Sequence, residues 1–204
     1  MRQYFFLVVL FLGLTQCKKA ENPANSSVSV ENSVKFAEGF SLLNYEGFSV
    51  LKVSNAYPES QETFTYILHK KGVQVPDSLR KFTSIEVPVK KIIVTSTTHI
   101  PSLEALGVEE TLIGFPTTDY ISSEKTRALI AGGKVRDLGS NQGLNTEVIL
   151  DIQPDVIVGF GVDGDLKTYK NLERNGLKVI FNGDWTEKNP LGKSEWIKLF
   201  GALY

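Results

Sequence analysis

Short apolar runs separated by stretches of helical spacing determine the fold class of the second half of this chain. The runs cover residues 92–95, 112–115, 156–160 and 179–181, with a weaker fifth near Val135. Continuous apolar strands that alternate with helices are typical of a parallel sheet covered on both faces. The sequence therefore predicts an α/β fold, with a parallel-sheet lobe over residues 90–189.

The segments between these runs have the apolar spacing of helices. They cover residues 101–106, 123–130, 146–152 and 165–175. Gly107 and Gly176 stand just past two of these segments, where a left-handed residue commonly ends a helix. We therefore expect four helices between the strands.

Residues 34–89 have a different periodicity. Apolar residues alternate with polar ones at positions 64, 66 and 68, and again at 85, 87 and 89. A period of two is typical of half-buried antiparallel strands. Residues 44–47 and 70–72 are the predicted turns, and Pro88 suits an edge strand. The sequence thus predicts a β-rich extension in front of the α/β lobe.

The last segment, residues 190–204, predicts another helix. Asn189 and Pro190 form a favourable helix start, and Trp196, Phe200 and Leu203 share one face. The pattern is still open at the final residue, so we expect a helix that would continue.

The N-terminal residues predict export. Arg2 precedes an uncharged apolar stretch over residues 4–14. A bilayer core of roughly 30 Å takes about 20 apolar residues to cross, so this stretch is too short. Its length and flanks match a secretory signal peptide.

Cys17 is the only cysteine of the chain and directly follows this stretch. The sequence Leu14-Thr15-Gln16-Cys17 resembles the lipobox of bacterial lipoproteins, which implies a signal peptide over residues 1–17 and an acylated Cys17. The alternative is an ordinary signal peptide with an incidental cysteine. The lipobox interpretation predicts an exported protein, lipid-anchored at the periplasmic face or the cell surface.

Residues 18–33 are rich in Lys, Asn, Ser, Ala and Glu and contain little to bury, which predicts a flexible tether. The whole chain has 22 basic and 23 acidic residues, intermixed, for a formal net charge of −1. This balance gives no electrostatic footprint for nucleic acid.

Polar residues follow the predicted strands at their carboxyl ends, where open parallel sheets bind ligands. Hydroxyls, amides, carboxylates and two aromatic rings at one edge would suit a bulky, partly polar solute. The alternative is that such residues are common in loops whatever their function. The candidate ligand-binding residues are Thr97, Thr98, Thr117, Tyr120, Asn141, Gln142, Asp163, Asp184 and Trp185.

Four stretches carry a family resemblance. They are IIVTSTTHIPSLEALGV, LIGFPTTDYIS, LGSNQGLNTEVILDIQPDVIVGFGVDG and VIFNGDWTEKNPLGKSEWIKLFGALY. Together they resemble the solute-binding proteins of iron-siderophore and vitamin B12 ABC importers, over residues 34–204. The resemblance implies two α/β lobes joined by one long helix, with the solute between them. It also implies that residues 90–189 are the first lobe, that residues 190–204 begin the interlobe helix, and that the second lobe is missing.

The resemblance assigns Glu147 to docking on arginines of the importer's membrane-spanning subunits. A carboxylate and a planar guanidinium make a bidentate contact that fixes orientation. A structural alternative is that Asn145 caps the helix, which places Glu147 in a first turn where an acid is favoured by the helix dipole.

The resemblance also implies the solute and the partners. The solute would be a small-molecule metal chelate, with a ferric siderophore first and a corrinoid such as cobalamin, or haem, second. The partners would be the permease subunits and the membrane, through the lipid anchor. No catalytic residue, resident cofactor or metal site is expected.

Three other functions compete with this one. Residues 159–164 read GxGxxG and Asp184 follows at the spacing of a ribose-binding acid, as in a dinucleotide-binding enzyme. Acids at positions 163 and 165 would, however, repel a pyrophosphate. His99 could be one ligand of a metal, but such sites need several ligands, and the only other histidine is His69. The chain could also be a truncated remnant without transport activity.

Overall fold

The computed structural model describes residues 30–54, 56–161 and 166–204. The predicted signal peptide with Cys17, most of the predicted tether, and Asp163 lie outside these ranges. The described part is a mixed α/β structure with a four-stranded sheet, a five-stranded parallel sheet and a two-stranded hairpin. The α/β prediction is therefore confirmed.

The four-stranded sheet forms from the segment with period-two spacing. Its strands, in spatial order, are β1 (Phe40–Asn44), β2 (Phe48–Val53), β3 (Phe64–Lys70) and β4 (Thr83–Val87). The β1–β2 and β2–β3 pairs are antiparallel, as predicted. Strand β4 runs parallel to β3, so the antiparallel prediction is wrong for this strand. The connection over residues 71–82, which contains a 3₁₀ turn at Asp77–Leu79, returns the chain to the starting end of β3.

Both predicted turns of this region are present. Gly47 and Gly72 have φ angles of 81° and 80°, a left-handed conformation that glycine adopts without a steric penalty. Tyr45 N–H donates to the Phe48 carbonyl at 2.9 Å and closes the turn between β1 and β2.

The parallel sheet has the spatial order β11-β10-β5-β6-β7. Every neighbouring pair in it is parallel. The four apolar runs supply β5 (Ile92–Val94), β6 (Leu112–Phe115), β10 (Val156–Gly159) and β11 (Val179–Phe181). A short exposed strand, β7 (Arg136–Asp137), directly follows Val135. A small antiparallel hairpin, β8 (Gly139–Ser140) and β9 (Gly143–Leu144), follows β7.

Four helices connect these strands, close to the predicted positions. They are α1 (His99–Ala105), α2 (Glu124–Ala131), α3 (Thr146–Ile152) and α4 (Lys167–Arg174). Gly107 and Gly176 follow α1 and α4 with φ angles of 70° and 84°, which confirms both as helix-ending residues. In the described ranges, every helix is too short or too polar to cross a bilayer.

The C-terminal segment differs from the single helix that the sequence predicts. It forms two short helices, α5 (Pro190–Glu195) and α6 (Ile197–Gly201), which meet at Trp196. Asn189 caps α5 as predicted, since its side chain accepts from the Leu191 N–H. The Trp196 side chain is buried, with its ring 4.5 Å from the Phe40 ring, and its indole N–H donates to Glu187. The helix breaks at Trp196 because the side chain makes both of these contacts.

The two sheets share one hydrophobic core. Strand β3 packs against β11, where the rings of Phe64 and Phe181 are 4.6 Å apart. The Phe181 N–H donates to the buried Tyr66 hydroxyl at 3.1 Å. The β-rich segment is thus fastened to one edge of the parallel sheet.

Two carboxylates on the C-terminal side hold the chain that leads into β1, and we call Glu187 and Glu195 the carboxylate clasp. Glu195 accepts hydrogen bonds from the N–H groups of residues 35, 36 and 37, at 2.6–3.0 Å. Glu187 accepts from the N–H groups of residues 38 and 39. Five consecutive backbone donors are therefore satisfied by two side chains about 150 residues away in sequence.

Glu195 is the residue of the clasp whose charge is most strongly stabilised. Burial alone would raise the pKa of this carboxyl, but the Lys198 ammonium and the three backbone donors outweigh burial and lower the pKa to about 2. Because the folded pKa lies below the ordinary 4.5, ionised Glu195 stabilises the fold above that pH, and this stabilisation disappears as the pH falls towards 2.

We predict that Glu195→Gln lowers the free energy of unfolding by about 2–4 kcal/mol at pH 7, because charge-assisted bonds become neutral ones around a buried amide. The difference from wild type should shrink between pH 4.5 and pH 2, measured by urea denaturation at each pH. Glu46→Gln, at an exposed turn, is the matched control and should change little. A pH-independent difference would contradict the role given to the charge.

Candidate functional site

The carboxyl ends of all five parallel strands lie at one edge of the sheet, which we call the rim. Residues 95–98 follow β5, residues 116–120 follow β6, and the β8–β9 hairpin follows β7. Gly161 and residues 182–186 come after β10 and β11. The strand directions therefore bring the predicted polar loops to the same end of the molecule.

A cleft of about 380 Å³ opens at the rim between α1, the turn Asp184–Thr186 and α5 with α6, and we call it the α1–α5 cleft. Three of the predicted site residues meet in it. Its lining includes Thr98, Ser102, Asn182, Asp184, Trp185 and Lys193.

Asp184 is the acidic group of this cleft. Burial raises the pKa of its carboxyl, while the Thr98 hydroxyl, the Trp185 N–H and the charge of Lys193 oppose that effect. The net shift is upwards, so this carboxylate is incompletely compensated by the protein around it. A solute that brings its own donor or positive charge would favour the ionised form of this carboxyl.

Asn182 was not predicted, although it is the first residue after β11. It is fully buried, and its side-chain oxygen accepts from the Asp184 N–H at 2.8 Å. Its amide nitrogen has no hydrogen-bond partner within the described ranges. Below the Asp184 carboxylate, the lining of the cleft therefore contains an unpaired amide nitrogen that is buried from solvent.

The other predicted rim residues lie outside this cleft. Thr97 borders a small hollow of about 60 Å³ with Ile121 and Ser123. The Thr117 hydroxyl donates to the Gly139 carbonyl at 3.2 Å, and its own φ of 50° fits a tight turn against the hairpin. This contact places Thr117 beside the β8–β9 hairpin, whose tip carries the other two predicted residues, Asn141 and Gln142.

Tyr120 ends a 3₁₀ turn, is 73% exposed, and lines neither the α1–α5 cleft nor the hollow beside Thr97. Asp163 falls in the range that the structure leaves undescribed. Of the predicted residues that the structure describes, Thr98, Asp184 and Trp185 line the α1–α5 cleft, while the others lie elsewhere along the rim.

A second, wider cleft of about 590 Å³ lies on the other side of Trp185, and we call it the loop cleft. It is lined by residues 57–61 of the β2–β3 loop together with Trp185, Thr186 and Lys188. Sequence analysis placed the β2–β3 loop in a separate extension. No local pattern of residues 57–61 indicates that they reach the rim.

Glu147 is exposed in the first turn of α3. The Asn145 side chain accepts from the Val148 N–H at 3.1 Å, so the capping part of the structural alternative is confirmed. The exposed carboxylate also leaves Glu147 accessible to a partner, and its docking role stays a prediction.

His99 does not line the rim clefts. It is fully buried, its ring lies 5.3 Å from that of Phe200, and burial lowers its pKa to about 3. Neither ring nitrogen has a hydrogen-bond partner among the residues that the structure describes. Over the same ranges, no three His, Cys, Asp or Glu residues come together as a metal site would require.

Two glycines of the GxGxxG sequence have packing roles. A Cβ on Gly159 would lie 2.5 Å from the Tyr169 ring, and one on Gly161 would lie 3.2 Å from Tyr57. The Tyr169 hydroxyl in turn meets the Thr95 hydroxyl at 3.0 Å. Close tyrosine packing therefore explains both glycines without a dinucleotide.

No family model matches the chain. Sequence comparison finds two uncharacterized lipoproteins of Methanocaldococcus jannaschii, each 27% identical to it. The matches cover 92% and 93% of this chain, and 50% and 47% of the respective relatives. A third protein of the same organism, also uncharacterized, is 26% identical over 74% of this chain and 47% of its own length. The chain thus spans about half the length of the curated relatives it matches.

Three solved structures align with part of the chain. A possible iron-binding (periplasmic solute-binding) protein of Staphylococcus epidermidis aligns with TM-score 0.36 and 24% identity, over 46% of this chain and 34% of the other. The periplasmic haem-binding protein of Vibrio cholerae gives 0.42 and 19%, over 55% and 42%. The vitamin B12 binding protein of the same organism gives 0.37 and 17%, over 56% and 48%.

Proposed function

We propose that this protein is a solute-binding lipoprotein of an ABC importer, which captures an iron-siderophore-type chelate and presents it to the membrane permease. The observation that carries the proposal is the α1–α5 cleft at the rim of the parallel sheet. There an exposed indole, a carboxylate and an unpaired buried amide lie together. Open parallel sheets bind their ligands at this edge.

The chemistry of the cleft supports a whole complex as solute. Trp185 is 39% exposed and offers an aromatic face, while Asp184 offers a carboxylate acceptor beside it. Pockets for small molecules are mostly apolar with a few placed polar groups, and have volumes of about 300–1,000 Å³. A chelate already satisfies its metal, so it needs surface contacts and no set of protein ligands.

The N-terminal sequence and its relatives support the anchor. Residues 4–14 followed by Cys17 resemble a lipoprotein leader, and two of the relatives are named as lipoproteins. Acylation of Cys17 would hold the binding lobe close to the permease at the outer face of the membrane. Residues 18–29 would then connect the anchor to the lobe, which Asn32 and Ser33 join by pairing with β1.

Glu147 is the proposed docking residue. Its carboxylate is exposed at the start of α3, which follows the hairpin at the rim, so it faces solvent near the end of the lobe that holds the solute. An exposed carboxylate that meets a guanidinium contributes orientation through two parallel hydrogen bonds.

Binding of metal chelates tests the solute-binding role. We expect the full chain in detergent micelles to bind at least one of a ferric trihydroxamate, a ferric tricatecholate, haemin and cyanocobalamin in calorimetric titrations. Trp185→Ala should weaken that binding tenfold or more, about 1.4 kcal/mol, because the aromatic face is lost. Tyr45→Ala is the matched control, since Tyr45 is also 39% exposed but lies in the β1–β2 turn, outside the rim. Equal affinities of all three proteins would refute this site.

Uptake by cells tests the docking role separately. Glu147→Lys should abolish transporter-dependent uptake of the bound chelate while its affinity for the protein stays unchanged, because the substitution puts two cations opposite each other. Glu124→Lys is the matched control, since Glu124 is an exposed acid in the first turn of α2 and loses the same helix-dipole interaction. If both variants reduce uptake equally, Glu147 acts only as an acid that stabilises the first turn of its helix.

A further inference from the structure

We infer that the β2–β3 loop is a wall of the solute site, so that the β-rich extension takes part in selecting the solute. The inference rests on the proposed function and concerns the loop cleft, which holds residues 57–61 opposite Trp185 and Lys188. It extends the site beyond the parallel-sheet lobe, to a segment that is distant in sequence.

The first argument is the contact between the loop and the rim. Gly161 stands just beyond the end of β10, and a Cβ there would be 3.2 Å from both Cβ and Cδ1 of Tyr57. Tyr57 is therefore packed directly on backbone at the carboxyl end of a central strand. The loop also turns on itself, since the Ser60 N–H donates to the Tyr57 carbonyl at 3.1 Å.

The second argument is that the two clefts share a wall. Trp185 lines both the α1–α5 cleft, of about 380 Å³, and the loop cleft, of about 590 Å³. A solute that lies over the indole therefore reaches into both. Either cleft alone has the size of a pocket for a small molecule, and the pair has room for a larger ring system.

The third argument is the chemistry of the loop cleft. Tyr57, Pro58 and Trp185 provide apolar and aromatic surface, and Ser60 and Gln61 provide neutral hydrogen-bonding groups. The charged members, Glu59 and Lys188, have opposite signs. This lining suits a large chelate with little net charge and a broad apolar face, and gives a small anion little to bind.

The contacts that hold the β-rich extension to the parallel sheet also fix the β2–β3 loop in place. Strand β3, which follows the loop, is held to β11 by the hydrogen bond from Phe181 to Tyr66 and by the contact of Phe64 with Phe181. The position of the loop relative to Trp185 is therefore set by the shared core on its C-terminal side.

Filling each cleft separately tests the inference. Ser60→Trp would fill the loop cleft, Ser102→Trp would fill the α1–α5 cleft, and Lys52→Trp on the exposed side of β2 is the control for an added indole. Each variant of the full chain is titrated calorimetrically with the ferric trihydroxamate, ferric tricatecholate, haemin and cyanocobalamin probes. Thermal melts verify that each variant is folded.

The expected result is that Ser60→Trp weakens the best-bound probe tenfold or more, while Lys52→Trp stays within twofold of wild type. Gln61→Ala, which adds no bulk, should change the order of the affinities for the four probes. It replaces Ser60→Trp as the test of the loop if Ser60→Trp has a lowered melting temperature. If Ser102→Trp weakens binding but Ser60→Trp and Gln61→Ala do not, the loop is no wall of the site, and the proposed function stands. If wild type binds none of the four probes, the proposed function fails and the inference fails with it.

Discussion

The common direction of five strands determines where this chain can present polar groups. Strands β5, β6, β7, β10 and β11 are neighbours in parallel register, so each of them ends at the same edge. The side chains of β5, β10 and β11 are all buried in the core, as in the run Val156, Ile157 and Val158, whereas those of the short edge strand β7 are exposed. The sheet thus leaves hydroxyls, amides and carboxylates to the loops that follow the strands. The polar rim therefore follows from the burial of the apolar strands.

The β-rich segment modifies this rim because it is tied down at two places. The carboxylate clasp of Glu187 and Glu195 holds residues 35–39, and the contact of β3 with β11 holds the other end of the sheet. Between these attachments the β2–β3 loop lies against Gly161 and faces Trp185. The buried Glu195 of the clasp makes this arrangement sensitive to acid, since its depressed pKa means that it stabilises the fold only while it is ionised.

Local signals predicted most of the parallel sheet, because apolar runs, caps and glycine stops act over a few residues. The strands at 112–115 and 179–181 and the helix at 146–152 have the predicted bounds. Three features depend on contacts distant in sequence and were missed: the parallel direction of β4, the break at Trp196, and the arrival of residues 57–61 at the rim. Of the residues that line the α1–α5 cleft, the sequence analysis proposed Thr98, Asp184 and Trp185 and did not propose Asn182.

Hydrogen exchange followed by mass spectrometry, with and without the best-bound chelate, tests the central claim most directly. The account predicts slower exchange in the loops at the rim, over residues 96–98, 117–120, 139–143 and 183–186. Loops at the opposite edge, over residues 107–111, 153–155 and 176–178, should exchange at unchanged rates. Protection confined to that opposite edge, or spread evenly over both edges, would contradict a solute site at the carboxyl ends of the strands.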